Sequence, residues 1–122
     1  MINKSELIWI TTSDIKKARS FFEDTLGMRV MASDDNYGWL ELQGNQGGCT
    51  LGVGNDSGYS PIKPGSNAVV TLSVDNIEQS KAALEAKGVR FIGEILEIPE
   101  HVKMALFVDF DNNHFQLVQK LN

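Results

Sequence analysis

The sequence predicts an α+β fold: two βαβββ modules forming a curved mixed sheet with a concave cleft, the helices on its convex side. Three observations carry this. The order strand, capped helix, glycine stop and three strands is written twice in 122 residues. A Gly-, Ser- and Pro-rich stretch, "GNDSGYSPIKPGS", separates the copies. A unit of roughly 55 residues buries too little surface alone, so two are expected to pair in one domain. Module 1 is placed at about 5–54, the linker at about 55–66 and module 2 at about 67–120.

Each element follows from local chemistry. Leu7–Thr12 (LIWITT) is an apolar, β-branched run and reads as a strand. Ser13-Asp14 supplies an N-cap, and Ile15, Ala18, Phe21, Phe22 and Leu26 then recur at helical spacing until Gly27 ends the run. Met28–Ala32, Trp39–Gln43 and Cys49–Val53 are strands joined by the turns "DDNYG" and "GNQGG". In the second copy Ala68–Val74 is a strand, Asp75-Asn76 caps a helix carrying Ile77, Ser80, Ala83 and Leu84 inward, and Gly88 closes it. The helices are thus expected near 14–26 and 76–87. Val89–Ile92 begins a strand that continues toward Glu97 with an irregularity, and Lys103–Val108 and His114–Gln119 complete the module. "LGMRVM" corresponds to "KGVRFI", and "GGCTLGV" to "NNHFQLV".

Composition narrows the function. The chain is 42% hydrophobic and 22% charged, ordinary for a soluble globular domain. No apolar run approaches the ~20 residues of a membrane span, and the first six residues lack the layout of a signal peptide. A single cysteine, Cys49, excludes an intrachain disulfide framework and a Cys-based metal site. These features place the chain in the cytoplasm, with no membrane partner. Cys49 itself is expected as a small buried hydrophobe. A net charge of −5 argues against a nucleic-acid partner, whose phosphates need clustered Lys and Arg. No Ser/His/Asp constellation and no phosphate-binding loop stands out, so no catalytic residue is assigned.

Two segments, "TTSDIKKARSFFEDTLGMRV" and "FVDFDNNHFQLVQ", carry a likeness to a known family. The chain resembles the vicinal oxygen chelate superfamily: glyoxalase I, extradiol dioxygenases, and fosfomycin- and bleomycin-resistance proteins. The second segment is similar to the family's Phe-x-Asp-Pro-Asp-Gly-Asn motif, with Phe110 for the Pro, Asn112 for the Gly and Gln116 for a Glu ligand. The resemblance implies a homodimer, and in the metal-using members four metal ligands on the concave sheet. Here those positions fall on Leu7, Gly52, Val69 and Gln116, which offer one amide oxygen. No metal and no cofactor is therefore expected, because the ions of this family need several N or O donors.

Strand alternation assigns Leu7, Trp9 and Thr11, then Trp39 and Glu41, to the cleft, with Gly52 on the fourth strand, Val69 and Thr71 on the fifth, and His114 and Gln116 on the eighth. Two indoles with a few polar groups suit a small organic molecule, and glycines would leave it room. The expected function is metal-free binding, sequestering an aromatic or cationic metabolite or antibiotic as bleomycin-resistance-type proteins do. The alternative is a glyoxalase-like, metal-dependent lyase or isomerase with non-standard ligands, drawing on His114, Gln116 and Glu41.

Overall fold

The computed structural model describes every residue except Ile2, Lys4 and Pro61. Ile2 and Lys4 belong to the stretch compared with a signal peptide, and Pro61 to the linker; that part of each expectation lies outside the described residues. The chain divides into two compact units, Met1–Asn67 and Ala68–Asn122. Each is a four-stranded mixed sheet with a helix, so the α+β class and the two βαβββ modules are present.

Unit 1 runs β1 (Ile8–Thr12), α1 (Ile15–Arg19), β2 (Arg29–Asp34), β3 (Trp39–Gly44) and β4 (Gly47–Asn55). Its strand order is β1-β4-β3-β2. The last three strands are an antiparallel meander, but β1 pairs parallel with β4. Parallel neighbours cannot be joined by a tight turn. The helix is the crossover that makes the pairing possible, and it packs on β3 and β4. Unit 2 repeats the scheme with β5 (Val70–Ser73), α2 (Ile77–Ala86), β6 (Arg90–Ile98), β7 (Val102–Val108) and β8 (His114–Lys120), in the order β5-β8-β7-β6. The expected irregularity in β6 is a register shift between Ile92 and Leu96 at Gly93, whose φ is +73°.

The caps are those the sequence announces. Asp14 accepts hydrogen bonds from the amides of Lys16 and Lys17, both at 3.1 Å, and Asn76 accepts one from Gln79 N at 3.0 Å. A further bond recurs in both units. Ile15 N donates to Asn55 Oδ1 at 2.9 Å, and Ile77 N donates to Gln119 Oε1 at 2.8 Å. In each, an amide side chain at the end of the last strand satisfies the first helical N–H. This bond sets the repeat: Asn55 matches Gln119, hence Gly52 matches Gln116 and Val53 matches Leu117. The expected match of "GGCTLGV" with "NNHFQLV" is thus one residue out of step. Buried Val53 and buried Leu117 are the true equivalents.

Helix α1 does not continue as an α-helix to residue 26. It widens into a π-helical turn over Ser20–Thr25, ending with Leu26 N donating to Phe21 O at 3.0 Å. Phe22 is fully buried and meets Phe21 edge-on, their centroids 5.1 Å apart. Gly27 then takes the left-handed conformation (φ +73°) that ends the helix.

The helix-facing sides of the sheets form the cores. In unit 1 these are Ile10, Leu40, Leu42, Leu51 and Val53, each 3% exposed or less. In unit 2 Phe107 stacks on Phe115 at 5.3 Å and lies 5.4 Å from Phe91. Cys49 is a correction: it is exposed, not buried. The β3–β4 register shifts between Leu42 and Gly44, and Cys49 lies in this irregular stretch near the hairpin tip. Its thiol donates to Thr50 O at 3.6 Å.

The turn before β8 is organised by one buried carboxylate. Asp109 Oδ1 accepts from the amides of Asp111 (2.9 Å) and Asn113 (2.8 Å), and Oδ2 accepts from Asn113 Nδ2 at 3.0 Å. Asn112, which stands where the family motif has glycine, carries φ +70°, a conformation asparagine tolerates better than most residues. Burial pushes the Asp109 pKa up despite these hydrogen bonds. The folded state therefore holds the proton more tightly than the unfolded chain, so ionising this group lowers stability as pH rises from the ordinary carboxylate value through the folded one. The three donors nevertheless need an acceptor. Asp109→Ala should cost about 2–3 kcal/mol at neutral pH by stranding them; urea unfolding that shows no loss would contradict this.

Candidate functional site

Each sheet has a second face, away from its helix. On unit 1 that face is built by alternation. Trp9 (β1), Gly52 (β4) and Glu41 (β3) stand in one cross-strand row, and Thr11, Gly54 and Trp39 stand in the next. Five sequence-assigned residues, Trp9, Thr11, Trp39, Glu41 and Gly52, are thus brought onto one surface. The indoles lie 6.3 Å apart with their planes at 55°. Trp39 Nε1 donates to Glu41 Oε2 at 2.8 Å, so Glu41 holds the indole in place.

The glycines have a different use from the one expected of them. A Cβ on Gly52 would stand 2.6 Å from Trp39 Cη2 and 3.1 Å from Trp9 Cβ. A Cβ on Gly54 would stand 3.4 Å from the same Trp39 ring. The room above the glycines is filled by the protein's own tryptophan, which settles over β4 because no side chain lifts it away.

A cavity of about 430 Å³ opens beside the indoles, entirely within unit 1. Trp9, Trp39 and Tyr37 supply its aromatic lining, and Thr11, Asp34 and Asp56 supply polar atoms. Ser57 and Ser60, from the stretch read as a plain linker, complete one side. Thr11 is 3% exposed and its hydroxyl donates to Ile62 O at 3.2 Å, which ties that stretch to β1. Asp34, Tyr37, Asp56 and the serines were not assigned to a site from the sequence. "DDNYG" reads only as a turn, and a Gly/Ser/Pro-rich run carries no signal of which side chains point inward.

The remaining residues fall elsewhere. Leu7 is half-buried just before β1, and Val69 is 53% exposed just before β5. On unit 2, Thr71 and Leu106 flank Gln116 in register, while His114 pairs with Val108 and shares the Gln116 face. That surface sets the polar Thr71, His114 and Gln116 beside the apolar Leu106 and Val108.

The metal of the family's metal-using members does not fit these residues. Leu7 and Val69 offer only hydrocarbon. A ligating side chain at position 52 would have to displace Trp39. Gln116 alone cannot satisfy an ion that takes four to six donors. Among the described residues, no group of three or more His, Cys, Asp or Glu could hold a metal ion. Nor is any helix among them long and apolar enough to cross a membrane.

The geometry predicts that Gly52→Leu evicts Trp39. Overpacking of this kind should cost about 1–3 kcal/mol in urea unfolding and red-shift the tryptophan emission. A variant with unchanged stability and emission would show that the ring is not seated on β4.

Comparison with known proteins agrees with the fold. The chain aligns at 26% identity with a member of the glyoxalase/bleomycin resistance protein/dioxygenase superfamily from Sphaerobacter thermophilus DSM 20745 (98% of each chain, TM-score 0.83). TnmS3, an antibiotic binding protein from Streptomyces sp. CB03234, is also 26% identical, covering 98% of this chain and 97% of its own, TM-score 0.77. The fosfomycin resistance protein FosX from Listeria monocytogenes shares the fold at 16% identity, covering 98% and 94%, TM-score 0.74. No match was found among curated protein sequences. The family profile matches residues 5–117, and the chain belongs to the Glyoxalase/Bleomycin resistance protein/Dioxygenase superfamily.

Proposed function

We propose that this protein is a metal-free small-molecule binding protein that sequesters an aromatic or cationic metabolite or antibiotic. The observation that carries the reading is the unit 1 cavity, flanked by both indoles of the chain on the sheet face away from the helix. Its volume lies within the roughly 300–1,000 Å³ range of small-molecule pockets. Its lining is aromatic with a few fixed polar groups, the composition that orients a flat ligand by stacking and one or two hydrogen bonds. The similarity to an antibiotic binding protein at 26% identity supports the same reading. Sequestration needs no catalyst, because tight binding lowers the free ligand by mass action. Leu7 adds an apolar side chain just before β1 in unit 1; unit 2 has Thr71, His114 and Gln116 as polar groups on its own face away from the helix, with Val69 just before β5.

A panel of aromatic cationic antibiotics should quench the intrinsic tryptophan fluorescence saturably. Trp9→Ala should weaken binding about tenfold, the loss expected when a stacking partner worth about 1–1.5 kcal/mol is removed. Unaltered affinity in a variant with wild-type melting temperature would remove the main support for this reading.

Millimolar chelator should leave the melting temperature of the purified protein unchanged. A resident metal at 100–1,000 times its dissociation constant would add about 3–4 kcal/mol, and its removal would be plain in the melt.

A further inference from the structure

We infer that the unit 1 cavity selects an organic cation and that Asp34 supplies the counter-charge. This rests on the reading of that cavity as a ligand site, and it names the charge the ligand must carry. Three observations converge on it. The lining contains three aromatic side chains and two carboxylates, Asp34 and Asp56, and among the described residues no Lys, Arg or His. Aromatic faces beside carboxylates attract a cation and disfavour an anion.

The two carboxylates are not equivalent. Asp56 has its own cation, Lys63 Nζ, 3.7 Å from Oδ1, and its Oδ1 also accepts from Gly58 N at 3.0 Å. Asp34 has no cationic partner among the described residues. Its Oδ1 accepts from the amides of Asn36 (3.0 Å) and Tyr37 (3.2 Å). Those bonds fix the carboxylate and the Tyr37 backbone in one turn, beside the Trp39 with which Asp34 pairs across β2 and β3.

Trp39 is itself biased toward a cation. Its indole N–H donates to the Glu41 carboxylate at 2.8 Å. A hydrogen bond to an anion pushes electron density into the ring and strengthens the negative face that cations meet. The site therefore combines an unneutralised carboxylate, an electron-enriched indole and Tyr37, an 85% exposed ring at the cavity rim.

The test compares N-methylquinolinium, a planar cation, with quinoline, which is uncharged at neutral pH and nearly the same shape. Calorimetric titration of the full chain should show the cation binding about tenfold more tightly than quinoline. In Asp34→Asn the amide oxygen still accepts the two turn hydrogen bonds, and the melting temperature serves as the folding control. The cation-to-neutral affinity ratio should then fall about tenfold, and in the wild type it should shrink as salt is added. A ratio unchanged by Asp34→Asn, or equal binding of both probes by the wild type, would overturn the inference. If the wild type binds both equally and Trp9→Ala weakens both, the aromatic site stands and only the charge selection falls. If neither probe binds, both readings fall together.

Discussion

Each four-stranded sheet has two faces and only one helix to cover them. The parallel pairs β1–β4 and β5–β8 demand a crossover, and the crossover helix can lie on one side only. The helix side becomes the core and collects Ile10, Leu40, Leu42, Val53, Phe107 and Phe115. The other side must be finished by different means. In unit 1 those means are two tryptophans and two glycines. The repeated bond from the first helical amide to Asn55 or Gln119 holds helix and sheet in one register, so the alternation of the last strand is fixed relative to the helix.

That register gives position 52 its importance. It is the structural equivalent of Gln116, the position at which the metal-using members of the superfamily carry a ligand on each module. Glycine there has two consequences at once. It removes a donor, and it lets Trp39 settle over β4 within reach of Glu41. The lack of a donor side chain at position 52 and the seating of Trp39 over β4 thus follow from the same missing side-chain volume. A fold that hosts several chemistries is diverted by such local substitutions without any change in its strand order.

Much of this was legible in the sequence, for physical reasons that can be named. Asp14, Asn76, Gly27 and Gly88 act through local geometry, so the helices they delimit could be placed from spacing alone. Alternation put Trp9, Trp39, Glu41 and Gly52 on one face because the period of a strand is two. What escaped depends on longer-range events. Cys49 is exposed because a register shift interrupts its hairpin. The π-helical turn after Arg19 leaves the spacing of Phe21, Phe22 and Leu26 looking helical. The glycines were expected to make room for a ligand, but whether a neighbouring side chain fills such room is a matter of packing. Asp34, Tyr37 and Ser60 line a cavity because a turn and a connecting stretch converge, which no periodicity encodes.

If a ligand binds as proposed, it sits on the indole-bearing face of unit 1. The indole N–H resonances of Trp9 and Trp39 report on it directly. In a ¹⁵N-labelled sample titrated with N-methylquinolinium, both resonances should shift saturably along one binding curve. Resonances of the buried unit 1 core, such as Leu42 and Leu51, should stay in place. Saturable binding that moves neither indole would place the ligand elsewhere and contradict the account.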